Sequence, residues 1–242
     1  MRLLAKFNPL PALGSLFYPP ACVVCSGIVE GLEYLCANCR SRAPRITAPF
    51  CAKCSEPFFG AITQTFNCAN CEHRTLHFDN AVSAYRSRGL VRKLLHDFKY
   101  GGQRHLRYPL AEWLSETLND PRLRGRRFDM IVPVPLHAAR ERERGFNQAA
   151  LLAESLAVEV AVPLRPVLER IRYTTTQTAY DRAERMENLQ DAFRLRKNRD
   201  VRGLRVLLID DVLTTGSTLS ECARTLKAAG AISVHAATAA RA

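Results

Sequence analysis

The chain has 242 residues, and its 35 lysines and arginines exceed its 23 aspartates and glutamates, giving a formal charge of +12. This length predicts one or two domains, and 47% hydrophobic with 24% charged residues excludes wholesale disorder and fibrous repeats. No apolar run approaches the roughly 18 residues of a membrane-spanning helix, and prolines interrupt the apolar N-terminal stretch. We therefore expect no membrane insertion, no signal peptide and a cytoplasmic location, where thiols stay reduced.

Eight of the nine cysteines form four Cys-x-x-Cys pairs before residue 72. In a reducing compartment such pairs favour metal binding over disulfides, and tetrahedral zinc takes four thiolates from two tight turns. The second pair of each set reads Cys-Ala-Asn-Cys, and the two sets are offset by 29 residues at the first pair and 32 at the second. We predict two structural zinc ions, bound by Cys22, Cys25, Cys36 and Cys39 and by Cys51, Cys54, Cys68 and Cys71.

Iron–sulfur binding, and a cross-braced arrangement that mixes ligands of the two sets, remain alternatives. With four cysteines in each set, we expect His73 and His77 to be solvated rather than bound to metal. A closed set of four ligands has no open position for catalysis, so we expect the metals to fold a domain at 1–78. The ninth cysteine, Cys222, falls on an apolar helix face, which predicts a buried core thiol.

From about residue 79 the cysteines stop and helical patterns alternate with strand patterns. Continuous apolar runs predict strands at 130–134, 206–209 and 232–237. Helical spacing of apolar residues predicts helices at 90–98, 106–118, 147–160 and 218–229. Strand–helix–strand units at this spacing predict an α/β domain at 79–242 whose parallel sheet is flanked by helices.

The strongest chemical pattern is at 206–218, where a buried strand ends in Asp210 and Asp211 and a hydroxyl-rich loop leads into a helix. Backbone N–H groups at a helix N-terminus bind phosphate, and a glycine lets the backbone approach it closely. Two carboxylates at the carboxyl end of a strand suit ribose hydroxyls. This predicts a sugar-phosphate site whose phosphate is held by Thr214, Thr215, Gly216, Ser217 and Thr218. A plain strand followed by a helix cap is the alternative.

A second pattern follows the predicted strand at 130–134. We predict a loop that carries Arg140, Arg142 and Arg144, before a helix that starts near Asn147. Arginine forks suit a pyrophosphate, and only two glutamates stand among the three arginines. The alternative is a solvated alternation of arginine and glutamate.

Residues 206–218 resemble the phosphoribosyl-pyrophosphate (PRPP) motif of type I phosphoribosyltransferases. In that family the acid pair contacts the ribose 2′- and 3′-hydroxyls, and the Thr-Thr-Gly-Ser-Thr loop holds the 5′-phosphate. The whole chain resembles the ComF family of the ComFC/GntX type, which joins a cysteine-rich double zinc ribbon to a type I phosphoribosyltransferase-like domain. The segments that carry this resemblance are 16–20, 99–101, 133–137, 144–148, 177–188 and 206–218.

The resemblance implies Mg²⁺ with PRPP as ligands, and Arg140 and Arg144 as the groups that hold the leaving pyrophosphate. It also implies a mobile loop near 174–188 that closes over the reacting centre, and an acceptor contacted by 99–107 or by the ribbons. Members of the ComF family are tied to natural transformation, in the handling of incoming single-stranded DNA, and others to the use of external DNA or of gluconate.

Basic residues cluster at 86–107, where seven lysines and arginines occur with one aspartate, and at 122–127, where four arginines occur. Such a surface gives salt-dependent affinity for phosphates, and Tyr100, His105 and Tyr108 suit stacking on unpaired bases. This predicts single-stranded DNA as a partner. A solvated basic helix, and a surface suited to polyanionic PRPP, are the alternatives.

Two functions therefore stand side by side. The first is a Mg²⁺-dependent phosphoribosyltransferase that releases pyrophosphate from PRPP. The second is a non-catalytic competence factor that works with DNA-uptake proteins and uses the pocket as a regulatory or nucleotide site. The intact motif at 206–218 argues against a purely structural zinc-ribbon adaptor.

Overall fold

The computed structural model describes residues 20–31, 33–60, 64–173 and 189–242. The chain divides into two compact units, Met1–Ala43 and Pro44–Ala242. The first unit holds the first cysteine set and the short helix α1 (Ala37–Ser41). The second unit holds the second cysteine set together with the α/β core. The division at residue 78 stays a prediction about sequence modules, since the compact unit that carries the sheet already begins at Pro44.

In the second unit, 3₁₀ turns at Arg104–Leu106 and Thr117–Asn119 flank the helix α4. In chain order the helices and strands of this unit are α2 (Ala69–Glu72), β1 (Ala81–Arg86), α3 (Gly89–Tyr100), α4 (Arg107–Glu116), β2 (Met130–Pro133), α5 (Ala138–Arg144), α6 (Gln148–Val160), β3 (Leu168–Arg170), β4 (Phe193–Leu195), β5 (Arg205–Leu213), α7 (Ser217–Ala228) and β6 (Ser233–Arg241). The described residues include no helix that is both long and apolar enough to cross a membrane.

Four strands form one sheet in the order β1-β6-β5-β2, and every neighbouring pair is parallel. The predicted parallel sheet is therefore confirmed, with β5 in its interior. The prediction missed the edge strand β1 and the antiparallel pair β3–β4, which are short segments without the continuous apolar run that marks a buried parallel strand. It also ended β5 too early, since the strand continues through the acid pair to Leu213.

The four predicted helices are confirmed, and the structure adds the short helices α1 and α2 at the cysteine sets, and α5. The prediction of a loop across Arg140, Arg142 and Arg144 is wrong, because these residues lie on α5. The helix has physical reasons in its sequence: Ala, Arg and Glu have high helix propensity. The His137 ring caps its start, with Nδ1 accepting a hydrogen bond from the Ala139 N–H at 3.2 Å, and Gly145 ends it at φ +75°.

The side chains of β5 alternate between the two faces of the sheet, as strand geometry requires. Val206 and Leu208 belong to a core cluster that includes Leu219 and Cys222 of α7. The same cluster contains Cys51 and Cys54, so the second cysteine set packs within the core of the α/β unit. The other face of the sheet is covered by α4 and α6, which also pack on each other. The predicted burial of the Cys222 thiol is confirmed, since its side chain is inaccessible to solvent.

Candidate functional site

The eight paired cysteines form two separate clusters. Within each cluster the four Sγ atoms lie within 4.8 Å of one another, and all nine cysteines of the chain are free thiols. The Sγ atoms of Cys25 and Cys36 are 3.7 Å apart and those of Cys54 and Cys68 are 3.6 Å apart. Four thiolates at 2.3 Å from a tetrahedral ion would be separated by about 3.8 Å. The sets are therefore sequential rather than cross-braced, and each suits one structural zinc ion.

Backbone hydrogen bonds repeat between the two clusters. The N–H of Cys22 donates to Gly27 O and that of Cys51 donates to Glu56 O, while the N–H groups of Val23 and Ala52 donate to Tyr34 O and Phe66 O. These four partners are related by the same offsets, 29 and 32 residues, as the cysteine pairs. The two sets are therefore structural repeats, as the Cys-Ala-Asn-Cys sequences predicted.

The chemistry of the thiols also fits a divalent cation. Hydrogen bonds with Cys51 raise the pKa of Cys54 to about 12, whereas hydrogen bonds from Cys54 and Cys71 lower the pKa of Cys51. Thiols this close must share protons unless a cation compensates their charge. His73 is exposed, and neither His73 nor His77 joins a cluster, so the four-cysteine sets are the groups that suit a metal ion.

Arg122 fixes the second ribbon (residues 50–72) to the rest of its unit. Its guanidinium donates to the carbonyls of Cys51 and Ala52 at 3.2 and 3.1 Å and to Ser55 Oγ at 2.9 Å. Asp120 holds the guanidinium in place through two further hydrogen bonds of 2.8 and 2.7 Å. The inclusion of Arg122 in a DNA-binding surface is therefore wrong, since its donors are committed within the fold.

The acid pair lies in the last part of β5, at the carboxyl end of the parallel sheet. Asp211 is only 5% exposed, and its Oδ2 lies 2.8 Å from Nζ of Lys99 at the end of α3. Asp210 Oδ1 accepts a hydrogen bond of 2.9 Å from the Asp211 N–H. Lys99 was predicted only as part of an acceptor segment, and the sequence carried no signal that it pairs with an acid 112 residues away.

Burial, and after it the neighbouring charge of Asp211, raise the pKa of Asp210 to about 7, although the Lys99 ammonium acts to lower it. Arg170, on β3, also lies within electrostatic range of Asp210. Burial lowers the pKa of the Arg170 guanidinium, and the charges of Cys222 and Asp210 oppose that shift. Lys99 and Arg170 thus partly compensate the charge of the two adjacent carboxylates. The sequence analysis did not connect either cation with the acid pair.

The predicted phosphate loop leaves β5 two residues beyond Asp211 and enters α7. Gly216 has φ +79°, and a Cβ there would lie 3.4 Å from two ring carbons of Phe78, so the position requires glycine. Thr215 Oγ1 lies 2.8 Å from Ser217 Oγ and accepts a long hydrogen bond from the Ser217 N–H. Thr214 is exposed. The five predicted residues, Thr214, Thr215, Gly216, Ser217 and Thr218, therefore form one turn at the start of α7.

The loop has partners in the second ribbon that the sequence did not reveal. Asn70 Nδ2 donates to Thr215 O at 3.1 Å, and Arg74 donates to Thr215 O at 3.3 Å and to Ser217 Oγ at 2.8 Å. A cavity of about 550 Å³ borders the same side of the loop and is lined by Glu56, Cys68, Ala69, Asn70, Thr214, Thr215, Arg241 and Ala242. Its lining does not include the acid pair.

The structure does not bring Arg140 and Arg144 into direct contact with the acid pair. Arg140 pairs with Glu143 at 3.1 Å. Arg144 donates to Gln148 Oε1 at 2.9 Å and lies 5.0 Å from the Tyr100 ring centroid. Since Tyr100 adjoins Lys99, Arg144 stands near the cation that pairs with Asp211. Binding of a leaving group by these arginines stays a prediction, and the predicted mobile loop at 174–188 lies outside the described residues.

The two metal clusters lead to a prediction about their separate roles. Cys25→Ser should remove one zinc ion per chain and leave the thermal unfolding of the α/β unit unchanged, because Cys25 lies in the first compact unit. Cys68→Ser should also remove one ion but lower the Tm of the α/β unit by several degrees, because its cluster packs in that core. Zinc analysis and calorimetry measure both. Equal effects of the two variants on the α/β transition would contradict separate clusters.

The acid pair leads to a second prediction. The folded-state pKa of Asp210, about 7, lies above the ordinary value of about 3.9. The folded state therefore binds this proton more tightly, and the associated stability is present below about pH 4 and lost as the pH rises through 7. Asp210→Asn should raise the Tm at pH 8, by about 2–4 °C for each kcal/mol gained, and have less effect at pH 5.

Asp129→Asn provides the control of opposite sign. Hydrogen bonds from Arg205 lower the pKa of Asp129 to about 2, so its ionised form stabilises the fold above about pH 4 and this variant should lower the Tm at pH 8. A decrease in Tm at pH 8 for Asp210→Asn as well would show that Asp210 carries no burial cost.

Comparison with known proteins agrees with this arrangement. Residues 13–74 match the double zinc ribbon domain family, and residues 145–242 match the phosphoribosyl transferase domain family. Competence protein F of Haemophilus influenzae is 30% identical over 88% of this chain and 93% of its own length. Competence protein ComFC of Bacillus subtilis is 33% identical over 80% of this chain and 78% of its own.

Among solved structures, adenine phosphoribosyltransferase from Thermoanaerobacter pseudethanolicus is 20% identical, with a TM-score of 0.36 over 60% of this chain and 72% of that one. The matched domain families and the parallel sheet, rather than this overlap, assign the type I phosphoribosyltransferase fold. With a double zinc ribbon followed by that fold, and with identities of 30% and above over most of both chains, the chain belongs to the ComF family.

Proposed function

We propose that this chain binds PRPP with Mg²⁺ at the carboxyl edge of β5 and transfers its phosphoribosyl group to an acceptor, in the cytoplasmic handling of incoming single-stranded DNA. One observation carries the proposal. Asp210 and Asp211 lie in the last part of an interior parallel strand, and the glycine-containing turn at 214–218 follows two residues later at a helix N-terminus. In open α/β sheets this edge is where ligands bind.

The spacing along the chain supports a ribose 5-phosphate. Two extended residues, Val212 and Leu213, at about 3.3 Å each, separate Asp211 from the start of the loop. The acids would accept hydrogen bonds from the ribose 2′- and 3′-hydroxyls, and the loop would hold the 5′-phosphate through backbone N–H groups and the hydroxyls of Thr214 to Thr218. Lys99, which pairs with Asp211, would then share that carboxylate with a ribose hydroxyl.

The transfer breaks the bond between ribose C1 and the pyrophosphate oxygen, and the pyrophosphate leaves with the electron pair. A lone pair of the acceptor forms the new bond to C1, and the acceptor releases its proton. Mg²⁺ would be held mostly by the diphosphate oxygens and water and would neutralise their charge. On this chain the acid pair orients the sugar, the loop fixes its phosphate, and Arg140 and Arg144 on α5 are the candidates to receive the leaving group.

A titration of PRPP with Mg²⁺ into purified protein tests the site. The wild type should show saturable binding, and the Asp210→Asn/Asp211→Asn double variant should lose it, because its neutral amides accept the ribose hydrogen bonds more weakly. Zinc content and Tm of the double variant provide the folding control. Absence of binding by zinc-loaded wild type would overturn the proposal, while binding without pyrophosphate release for any acceptor would favour the non-catalytic alternative.

Single-stranded DNA is a second proposed partner, supported by an exposed aromatic and basic surface at 99–108. Tyr100 is 64% exposed and Tyr108 is 39% exposed. Arg144 and Arg107 lie 5.0 and 4.7 Å from the centroids of these two rings. Aromatic rings flanked by guanidinium groups suit stacking on unpaired bases with phosphates nearby.

Tyr100→Ala should therefore weaken binding of a single-stranded oligonucleotide by the about 1–3 kcal/mol that one stacked base contributes. Tyr100→Trp retains an aromatic face and should retain the affinity. Fluorescence anisotropy at two salt concentrations measures the affinity of both variants. The wild type should bind the oligonucleotide more weakly at the higher salt concentration. Equal affinity of the alanine and tryptophan variants would contradict a stacking role for this residue.

A further inference from the structure

The second ribbon contacts the phosphate loop through two side chains next to its metal ligands. Asn70 lies between the ligands Cys68 and Cys71, and Arg74 follows Cys71 by three residues. Arg74 donates to Asn70 Oδ1 at 2.6 Å, and together they donate three hydrogen bonds to Thr215 O and Ser217 Oγ. Both side chains are half-buried, so the contact is shielded from water on one side.

These hydrogen bonds determine which way the loop's donors point. In a trans peptide the carbonyl oxygen and the following N–H are on opposite sides of the bond. When Asn70 and Arg74 hold the Thr215 carbonyl on the ribbon side, the Gly216 N–H is turned away from the ribbon, and the Ser217 hydroxyl is fixed by the same arginine. Gly216 adopts positive and negative φ about equally readily, so its own backbone preference does not fix the turn. The ribbon therefore supplies orientation that the loop sequence lacks.

The positions of Asn70 and Arg74 depend in turn on the cysteine cluster. The N–H groups of Cys71 and Glu72 donate to Cys68 O at 2.7 and 3.0 Å, and the Cys68 N–H donates to Cys51 Sγ at 3.2 Å. A short turn of this kind has too few internal hydrogen bonds to persist alone, and four thiolates around one cation fix it. Loss of the metal would release the turn that carries Asn70 and Arg74.

We propose that the second four-cysteine cluster is a positioning part of the phosphoribosyl site. Asn70 and Arg74 transmit its folded state to Thr215 and Ser217, so that metal binding at Cys51, Cys54, Cys68 and Cys71 and ligand binding at the loop strengthen each other. The inference rests on the proposed binding of PRPP. It gives the ribbon a task at the site in addition to that of folding the chain.

The internal repeat supplies matched controls. Asn38 and Arg42 occupy in the first Cys-Ala-Asn-Cys repeat the positions that Asn70 and Arg74 occupy in the second. They are exposed and lie in the other compact unit. Identical substitutions at equivalent positions therefore change the same chemical groups beside a cysteine cluster, with and without the loop as partner.

The first experiment compares Asn70→Ala, Arg74→Ala and Arg74→Lys with Asn38→Ala and Arg42→Ala. For each variant, zinc content, Tm and the Kd for Mg²⁺–PRPP are measured on the full chain. Asn70→Ala and Arg74→Ala should retain two zinc ions and weaken PRPP binding about tenfold, the effect of one lost hydrogen bond of ordinary strength. Arg74→Lys retains a donor and should recover part of the affinity, and the two control variants should bind like the wild type.

The second experiment uses the wild type, so that it does not depend on any variant folding. Coupling between two sites is reciprocal: saturating PRPP should slow the release of one of the two zinc ions to a chelator and leave the other unchanged. In Arg74→Ala, PRPP at a saturating concentration should lose this effect.

The outcomes separate the two levels of the proposal. If the wild type does not bind PRPP, the proposed function fails and the inference with it. A second outcome is that Asn70→Ala and Arg74→Ala bind PRPP as well as the wild type does, and that PRPP does not change the rate of zinc release. The proposed function then stands and the positioning role is wrong. Weakened binding in Asn38→Ala and Arg42→Ala to the same degree would also contradict it, because these residues have no place at the loop.

Discussion

Two adjacent carboxylates near the carboxyl end of an interior strand, Asp211 buried and Asp210 half-buried, are the constraint on which the rest of this structure depends. A parallel strand flanked on both sides is normally apolar, and ionised groups there are unfavourable without cations. Lys99 lies 2.8 Å from Asp211, and Arg170 lies in the field of Asp210. These cations come from α3 and β3, so the position of both elements is tied to the charge at the edge of the sheet.

Even so, the compensation is incomplete, since the pKa of Asp210 is raised to about 7. Such a cost is common where a fold keeps polar groups ready for a ligand instead of satisfying them internally. Ribose hydroxyls would donate hydrogen bonds to these carboxylates that the protein itself does not provide. The loop that follows the acids is held from one side, since Asn70 and Arg74 of the second ribbon donate to Thr215 O and Ser217 Oγ.

The parts that the sequence predicted are those governed by local chemistry. Four thiols within two tight turns, a strand that ends in acids, and helical spacing of apolar residues each determine their own neighbourhood. The helix at Ala138–Arg144 could also have been predicted, because its composition, its histidine cap and the glycine after it all favour helix. The loop was predicted instead because its three arginines suit the binding of a pyrophosphate.

What remained unpredictable joins residues that are far apart in the chain. Asn70 and Thr215 are separated by 145 positions, and no periodicity or motif in either segment specifies the other. The prediction of the acid pair was right in place but lacked Lys99, because an ion pair between distant residues depends on how α3 packs against the sheet. Local patterns thus indicated which groups do chemistry, and the tertiary fold determined which groups hold them.

The two ribbons show the same distinction within one chain. Their ligand spacing, their Cys-Ala-Asn-Cys turns and their backbone hydrogen bonds repeat, so the local chemistry of metal binding is duplicated.

The surroundings of the two ribbons are not duplicated. Arg122 anchors the second ribbon through Cys51, Ala52 and Ser55, and the compact α/β unit begins at Pro44, between the repeats. A metal-binding turn that packs within a core can affect the elements that contact it. In this fold one such element is the loop at 214–218. Equivalent sequence is therefore no guide to equivalent role, and the second cluster is the one through which metal binding can reach the proposed sugar-phosphate site.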